Sequence, residues 1–555
     1  MNAAELVILG QVATLGEPRG LGLAEGIAIA GGRVVAAGPA TEIQPLIGTA
    51  TRVWRLSAGQ LAIPGITDAH LHLVEAALAA TQLDLSGVSG RDATLASIRA
   101  AHEARSAAGD PDGWLLGHGW VMDRLGGWPT AQDLETAAPG RRIALWAHDH
   151  HARWVSVAAL NAGGITSGTA APHGGEIRRD ADGRPTGILH EGAATLVDRA
   201  IPMPTADDVE SAVIAYAREL AAFGVTGAHD PGLLVDDPDG IVGPWLLAGM
   251  AERGTLPMRV VASIREGQLP RAAAWGMRSG RAVGRYRDGW LKLFSDGSLG
   301  SRSAALLEPY QPDDPGGPPT GGPRGMPLRT FAELTASATT ASAAGIATQI
   351  HAIGDAAVRG ALSVLAGVAA PANGVRHRVE HAQLVDPADV PRFAALNVAA
   401  SVQPCHLCSD AEAEVAAWGE RAAHSFPLHS LDATGALIPF GTDAPVESPD
   451  PWRNLAAAVA RRDRTWPPER GSFHEEEALS AWRALRAACL DPALSAGATD
   501  EGRLSPGSRA DLLIVPSEGL LSADPRGEAL AATRPLATLI DGAVVYRAGD
   551  MDLGD

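Results

Sequence analysis

Eight short apolar runs, separated by alanine-rich stretches with apolar residues at helical spacing, set the strongest limit on how this chain can fold. They begin at Leu61 (LAIPGITDAHLHL), Gly224 (GVTGAHD), Met258 (MRVVASI), Trp290 (WLKLFSDG), Gly345 (GIATQIHAIGD), Arg376 (RHRVEHAQ), Val398 (VAASVQP) and Leu437 (LIPFGTDAP). Strand-like runs alternating with helical segments, such as ADDVESAVIAYARELAAFG from Ala206 to Gly224, predict an α/β fold with a parallel sheet. Eight of them predict a (β/α)₈ TIM barrel, in which reactive groups sit at the C-terminal ends of the strands. At 555 residues the chain has room for such a barrel and appendages.

Two appendages are expected. GIAIAGGRVVAAG (Gly26 to Gly38) reads as two strands around a Gly-Gly turn, and LATLIDGAVVYRAG (Leu536 to Gly549) as two around Asp-Gly. With ADLLIVP from Ala510, they predict a small β-sandwich domain built from both termini, 1–60 and 500–555, flanking a barrel over 61–499. About 150 residues separate the first two runs, too many for a connection, so an inserted subdomain at about 85–205 follows the first barrel strand. It holds Trp114, Trp120, Trp128, Trp146 and Trp154, five of thirteen tryptophans, which read as its own core.

A net charge of −19 without any basic run argues against nucleic-acid and anionic-membrane partners and leaves a small-molecule substrate. No apolar run approaches the roughly 20 residues of a membrane helix. The N-terminus lacks a basic region before an apolar stretch, and the three cysteines cannot make a disulfide framework. The expected location is the cytoplasm.

The chemistry collects at the strand ends. His70 and His72 close the first run, and alternate strand residues point the same way, so His-x-His presents two imidazoles to one side. Lys292, His351, His381 and Asp443 close the fourth, fifth, sixth and eighth. Nitrogen and carboxylate donors of this kind suit Zn²⁺ and its first-row neighbours. Singly, each could be a structural histidine or a helix-capping aspartate. Jointly, at the same end of five of the eight strands, they point to a metal centre. Lys292 is also the one lysine of the chain, since the other 44 of its 45 basic residues are arginine.

The segments PGITDAHLHL, KLFSDGSLGSRSA, QIHAIGDAAV, HRVEHAQLV, SVQPCHLCSD and FGTDAPVESPDP resemble those of the amidohydrolase superfamily. Within it the resemblance is to amidohydrolase family 3, the branch containing N-substituted formamide deformylase, and it covers nearly the whole chain. It implies two divalent ions, with zinc as the expected metal. His70, His72 and Asp443 would hold one, His351 and His381 the other, and Lys292, carbamylated by CO₂, would bridge them. A shared water would become hydroxide because such ions lower its pKa from about 15.7 to about 7. Asp443 would pass its proton to the leaving amine. The resemblance also explains the solitary lysine: a carbamate needs an amine that loses its proton, which burial allows for lysine and arginine never permits. The implied reaction is cleavage of an amide-type C–N bond in an N-formyl or N-acyl amine, and the family's habits allow a homodimer.

Other residues are candidates for substrate contact. His118 and Trp120 (GHGW), His151 and Glu191 lie in the insert, and His406 lies in the loop after the seventh strand. Around His151 the family more often shows Asp-Gly-His-Ser, where this chain has Asp149-His150-His151-Ala152. His229 and Asp230 close the second strand. Glu380 is expected on the opposite face of its strand from His381, in a structural role. Cys405 and Cys408 form a lone C-x-x-C and read as ordinary thiols. The Pro/Gly-rich stretch from Gln311 to Gly325 reads as a surface loop. Two rival readings are a single-metal deaminase or cyclic amidohydrolase on the same barrel, in which Lys292 is dispensable, and an inactive ligand-binding barrel.

Overall fold

The computed structural model describes residues 3–110, 112–147, 152–172, 175–232, 243–300, 302–314, 319 and 321–549. The chain forms two compact units, Met1–Ala76 with Val213–Asp555, and Ala77–Ala212.

The larger unit contains the barrel. Its first seven strands are Ile66–Asp68, Val225–Asp230, Arg259–Arg265, Tyr286–Phe294, Thr348–Ala352, Arg378–His381 and Ala399–Ser401, each parallel to the next. The eighth run is not a regular strand. Residue 439 is proline and has no N–H for a ladder, and a single parallel bridge joins Phe440 to Val402. The segment nevertheless closes the barrel. On one side Ala400 and Val402 donate backbone N–H groups to the carbonyls of Leu437 and Pro439, and on the other Ala69 donates to Phe440 and Asp443 to His70. Every strand of this sheet is therefore covered on both edges, as a barrel requires.

Helices fill the intervals, among them Pro244–Glu252, Phe331–Ala343, Asp355–Ala366, His406–Trp418 and Ala481–Ser495. Their apolar faces pack outward-pointing strand residues such as Leu291, Ile350 and Val379 into the main core. None of the helices among the described residues is long and apolar enough to cross a membrane. The described residues of the loop from Gln311 to Gly325 are tied down, with Arg302 paired to Asp314 and Gln311 donating its N–H to Ala417.

Both chain ends join one eight-stranded sheet. Leu6–Ala13 pairs with Leu23–Ala30 and Arg52–Arg55, and Gln60–Pro64 pairs antiparallel with Leu512–Pro516, which continues to Ala537–Ile540 and Ala543–Arg547. The Gly31-Gly32 and Asp541-Gly542 turns have positive φ at both positions, as two-residue hairpins with the strand twist demand. Ile27, Ile29, Trp54, Ile514 and Leu539 share one core, so the sheet folds over and supplies both layers of the small domain itself.

The second unit has its own six-stranded sheet, ordered Gly175–Arg179, Pro185–Glu191, Ala152–Val155, Ile143–Ala147, Leu115–Trp120 and Leu83–Asp84. Trp120 and Trp154 are buried in one of its cores with Trp128 packed against them, and Trp114 is buried in another.

Within the larger unit, Arg259 ties the third barrel strand to the terminal sheet. Its Nε and Nη2 lie 2.5 and 3.0 Å from the two oxygens of Asp511, and Nη2 lies 2.5 Å from Asp541. Arg259 and Asp511 are both buried. Removing the guanidinium strands buried charge. Arg259→Ala is expected to lower stability by about 3 kcal/mol, read as a shift in urea midpoint with the slope unchanged.

Candidate metal centre

The site is built at the C-terminal mouth of the barrel. The Asp68 carboxylate, at the end of the first strand, fixes the seam there. Its Oδ1 accepts from the N–H groups of His70 (3.1 Å) and Thr442 (3.0 Å), and its Oδ2 accepts from the Thr442 hydroxyl (2.5 Å). Burial pushes this carboxyl up to about 7. The clamp holds the His-x-His turn beside Asp443.

Both ligand-type imidazoles are oriented through Nδ1. His70 Nδ1 lies 2.5 Å from Glu380 Oε2, and His72 Nδ1 lies 2.7 Å from the Gly232 carbonyl oxygen. These acceptors take an N–H from Nδ1, which turns Nε2 of each ring inward; burial would lower His72, but its contact with Asp443 raises it. Both Nε2 atoms lie 3.4 Å from Asp443 Oδ1. Nε2 of His70 is buried and has no hydrogen-bond partner. One atom each from His70, His72 and Asp443 fall within 4.8 Å of one another, and so do atoms of His381, His406 and Asp443. Such an orphaned nitrogen beside a second imidazole and a carboxylate fits a borderline divalent cation.

The other strand ends converge on the same point. His381 Nδ1 is held 2.9 Å from Gln403 Oε1, and its ring centroid lies 5.1 Å from that of His70 and 4.5 Å from that of His351. His351 turns Nε2 to the Gly297 carbonyl oxygen at 3.0 Å, so Nδ1 is its remaining donor. Lys292 is buried on the fourth strand, its Nζ 4.9 Å from the Phe294 ring centre.

Burial governs the charge states. It lowers Lys292 to about 8, against the pull of Glu380 and Asp443. Burial, aided by Lys292, brings His70 to about 4 and His351 to about 3, so both are neutral near pH 7 and able to donate lone pairs. Asp443 behaves oppositely. Burial alone would raise it, but His70, His72 and His381 hold it well below the usual carboxylate range.

Glu380 corrects a sequence-based expectation. It does not face away from the site: it points into the barrel, where it is fully buried, orients His70 and pairs with Arg378 (Nε to Oε1, 2.8 Å). His381 reaches the same interior because it leaves strand geometry, with φ +69°. Asp443 does likewise at φ +61°. Left-handed backbone is costly for non-glycine residues and recurs where a side chain must be re-aimed. Arg378 Nη1 lies 2.9 Å from His229 Nδ1, which places His229 behind the site. Neither Arg378 nor Gln403 carries a signal in the sequence that would mark it as a support of the site.

His70, His72, Lys292, His351, His381 and Asp443 line a cavity of about 340 Å³ with Phe294, Leu299, Gln383, Asp410 and Glu447. His406 lines it too, its ring centroid 6.3 Å from that of His381. The remaining candidates lie in the second unit or outside the described residues. His118 is half-buried, its Nδ1 3.9 Å from Asp84, and Trp120 donates its indole N–H to the Leu145 carbonyl within that unit's core. Glu191 ends the strand Pro185–Glu191, and His151 lies outside the described residues. Cys405 and Cys408 are free thiols, both raised by burial.

Comparison with known proteins adds to this geometry. The model of the amidohydrolase family matches residues 58–546. The chain belongs to the amidohydrolase family. It is 31% identical over 495 residues to "Putative amidohydrolase YtcJ" of Bacillus subtilis (strain 168), covering 88% of this chain and 89% of that one. It is 27% identical over 527 residues to the N-substituted formamide deformylase of Arthrobacter pascens, covering 90% and 93%. The crystal structure of an uncharacterized metal-dependent hydrolase from Pyrococcus horikoshii OT3 superposes with a TM-score of 0.77 at 25% identity, covering 95% of this chain and 99% of that one. This amidohydrolase is thus a hydrolase whose buried His/Asp cluster could hold a metal.

Glu380→Gln keeps the shape and removes the charge that orients His70. Its affinity for Zn²⁺, measured by chelator competition on the full chain, is expected to fall roughly 10–100-fold.

Proposed function

We propose that this amidohydrolase cleaves an amide-type C–N bond in an N-formyl or N-acyl amine, using two divalent ions, Zn²⁺ by preference. His70, His72 and Asp443 would hold one ion, His351 and His381 the other, with carbamylated Lys292 between them. The observation that carries this reading is the chain's single lysine, buried beside these donors with its amine lowered to about 8. A free amine attacks CO₂ to make the N–C bond of a carbamate and gives up a proton to water. Arginine in that place could not do so. The likeness to N-substituted formamide deformylase supports the substrate class.

Bound divalent ions would supply Lewis acidity and acidify a water near neutral pH. The chain's own residues then have definite tasks. Asp443, ionised and touched by two imidazoles, takes the proton of the attacking water and hands it to the departing amine nitrogen. Glu380 and the Gly232 carbonyl hold His70 and His72 in the tautomer that keeps Nε2 available. Phe294 and Leu299 give the cavity apolar wall, which limits competing water.

One observation favours a second reading. His70, His72 and Asp443 converge without help from Lys292, while His351 is engaged with Gly297. A single-metal hydrolase would need no more. Metal content separates the two. Protein prepared with bicarbonate is expected to carry about two metal ions per chain. Lys292→Arg is expected to lose much of that metal and all measurable formamide hydrolysis, while its circular dichroism stays native. One ion in both proteins would establish the single-metal reading instead.

Asp443→Asn is expected to retain part of the metal yet lose roughly 10²–10⁴-fold in kcat. Near-normal turnover would remove Asp443 as the proton carrier.

A further inference from the structure

Next to the metal cavity, in the same compact unit, lies a second and larger cavity of about 580 Å³. Ser409 and Glu447 line both, so the two cavities share a wall. Its lining is unusual for a chain with a net charge of −19. Five guanidinium groups, from Arg453, Arg462, Arg464, Arg526 and Arg534, face three carboxylates.

Two of those carboxylates are already committed. Asp450 pairs with Arg534 at 3.0 Å and caps the helix Pro451–Ala460 through the Trp452 N–H. Asp463 Oδ1 accepts both the N–H (2.7 Å) and the hydroxyl (2.6 Å) of Thr465. The arginines are less committed. Arg453 lies 3.8 Å from both Glu447 and Asp463, beyond hydrogen-bond reach, and Arg526 is equally far from Glu528. Arg464 is exposed and, among the described residues, acts on Asp450 through space without a side-chain hydrogen bond. Arg462 spends one nitrogen on the Trp466 and Pro467 carbonyls. Guanidinium groups that hold spare N–H donors around a shared space suit a carboxylate, which they grip in planar, two-pronged fashion.

We propose that this chamber is the anion-holding arm of the substrate site, and that the amide cleaved here carries a carboxylate at the end away from the scissile bond. The scissile end lies among the strand-end histidines, and the chain of the substrate passes Ser409 and Glu447. Its carboxylate then takes the place of Glu447 in front of Arg453, with Arg464 as second partner. The excess of arginine draws an anion inward; Asp450 and Asp463 are committed elsewhere, and Glu447 is the rival for Arg453. The proposal rests on the amide-cleaving reading for its substrate but not for its binding site, and the two can be tested apart.

The binding arm uses calorimetry of adipate, a simple dicarboxylate, on the full-length protein. Wild type is expected to bind it, and the double variant Arg453→Gln/Arg464→Gln is expected to bind roughly tenfold more weakly or worse. Both side chains reach the surface, so the fold tolerates the changes. No binding by wild type, or equal binding by both proteins, overturns the proposal. The kinetic arm compares N-formyl-aminohexanoate with its neutral carboxamide. The double variant is expected to raise KM for the acid roughly tenfold while kcat and the KM of the neutral amide stay put. An equal effect on both substrates overturns the proposal. Adipate binding lost in the variant, with neither amide hydrolysed by wild type, upholds the anion site and overturns the amide chemistry instead.

Discussion

The ion pair between Arg378 and Glu380 lies at the centre of this barrel, fully buried, and much of the rest is arranged around it. Arg378 also donates to the Ala69 carbonyl (2.7 Å) and the Ser401 hydroxyl (2.5 Å) and meets His229, so one guanidinium joins the first, second, sixth and seventh strands. Glu380 spends its other oxygen on His70. A buried pair of this kind repays its desolvation only when the remaining donors and acceptors are satisfied. Here they are largely satisfied by backbone and side chains of neighbouring strands. The same contacts that hold the strands in register therefore fix the direction of an imidazole at the metal centre, so fold and site are not independent.

Much of the fold is legible in the amino-acid chain alone. Buried parallel strands are short and apolar, and their alternation with amphipathic helices is a pattern that few architectures share. The two-residue turns at Gly31-Gly32 and Asp541-Gly542 stand out because positive φ at both positions restricts the residues that can occupy them. The eighth strand is less regular than its apolar run suggests, since Pro439 removes a donor and closure falls to scattered hydrogen bonds. The insert's sheet, with strands at Leu115–Trp120 and Ile143–Ala147, is hidden by weak periodicity in a tryptophan-rich stretch.

In the candidate site, the residues at strand ends are legible because the barrel assigns that position a function. His70, His72, Lys292, His351, His381 and Asp443 lie together for that reason. Their supports are not legible. Glu380 sits one residue from His381, and strict alternation sends the two to opposite faces. Only the left-handed backbone at His381 brings both inward, and nothing in HRVEHAQ announces it. Gln403 and Arg378 are ordinary residues until their partners arrive from other strands. The arginine-lined chamber is invisible for the same reason: its walls come from Phe223, 408–409, 447–466 and 526–534, and proximity among them is a property of the fold.

The pairing of Gln60–Pro64 with Leu512–Pro516 has a consequence for how the molecule is made. A ribosome releases the first of these strands long before it releases the second. Until then the strand that leads directly into the barrel keeps an open edge, with unpaired N–H and C=O groups beside the apolar side chains of Leu61 and Ile63. Such an edge invites pairing with another chain. The strand Leu512–Pro516 thus acts as a seal as well as a structural layer. Synthesis interrupted before Leu512–Pro516 would leave a nearly complete barrel carrying an adhesive strip.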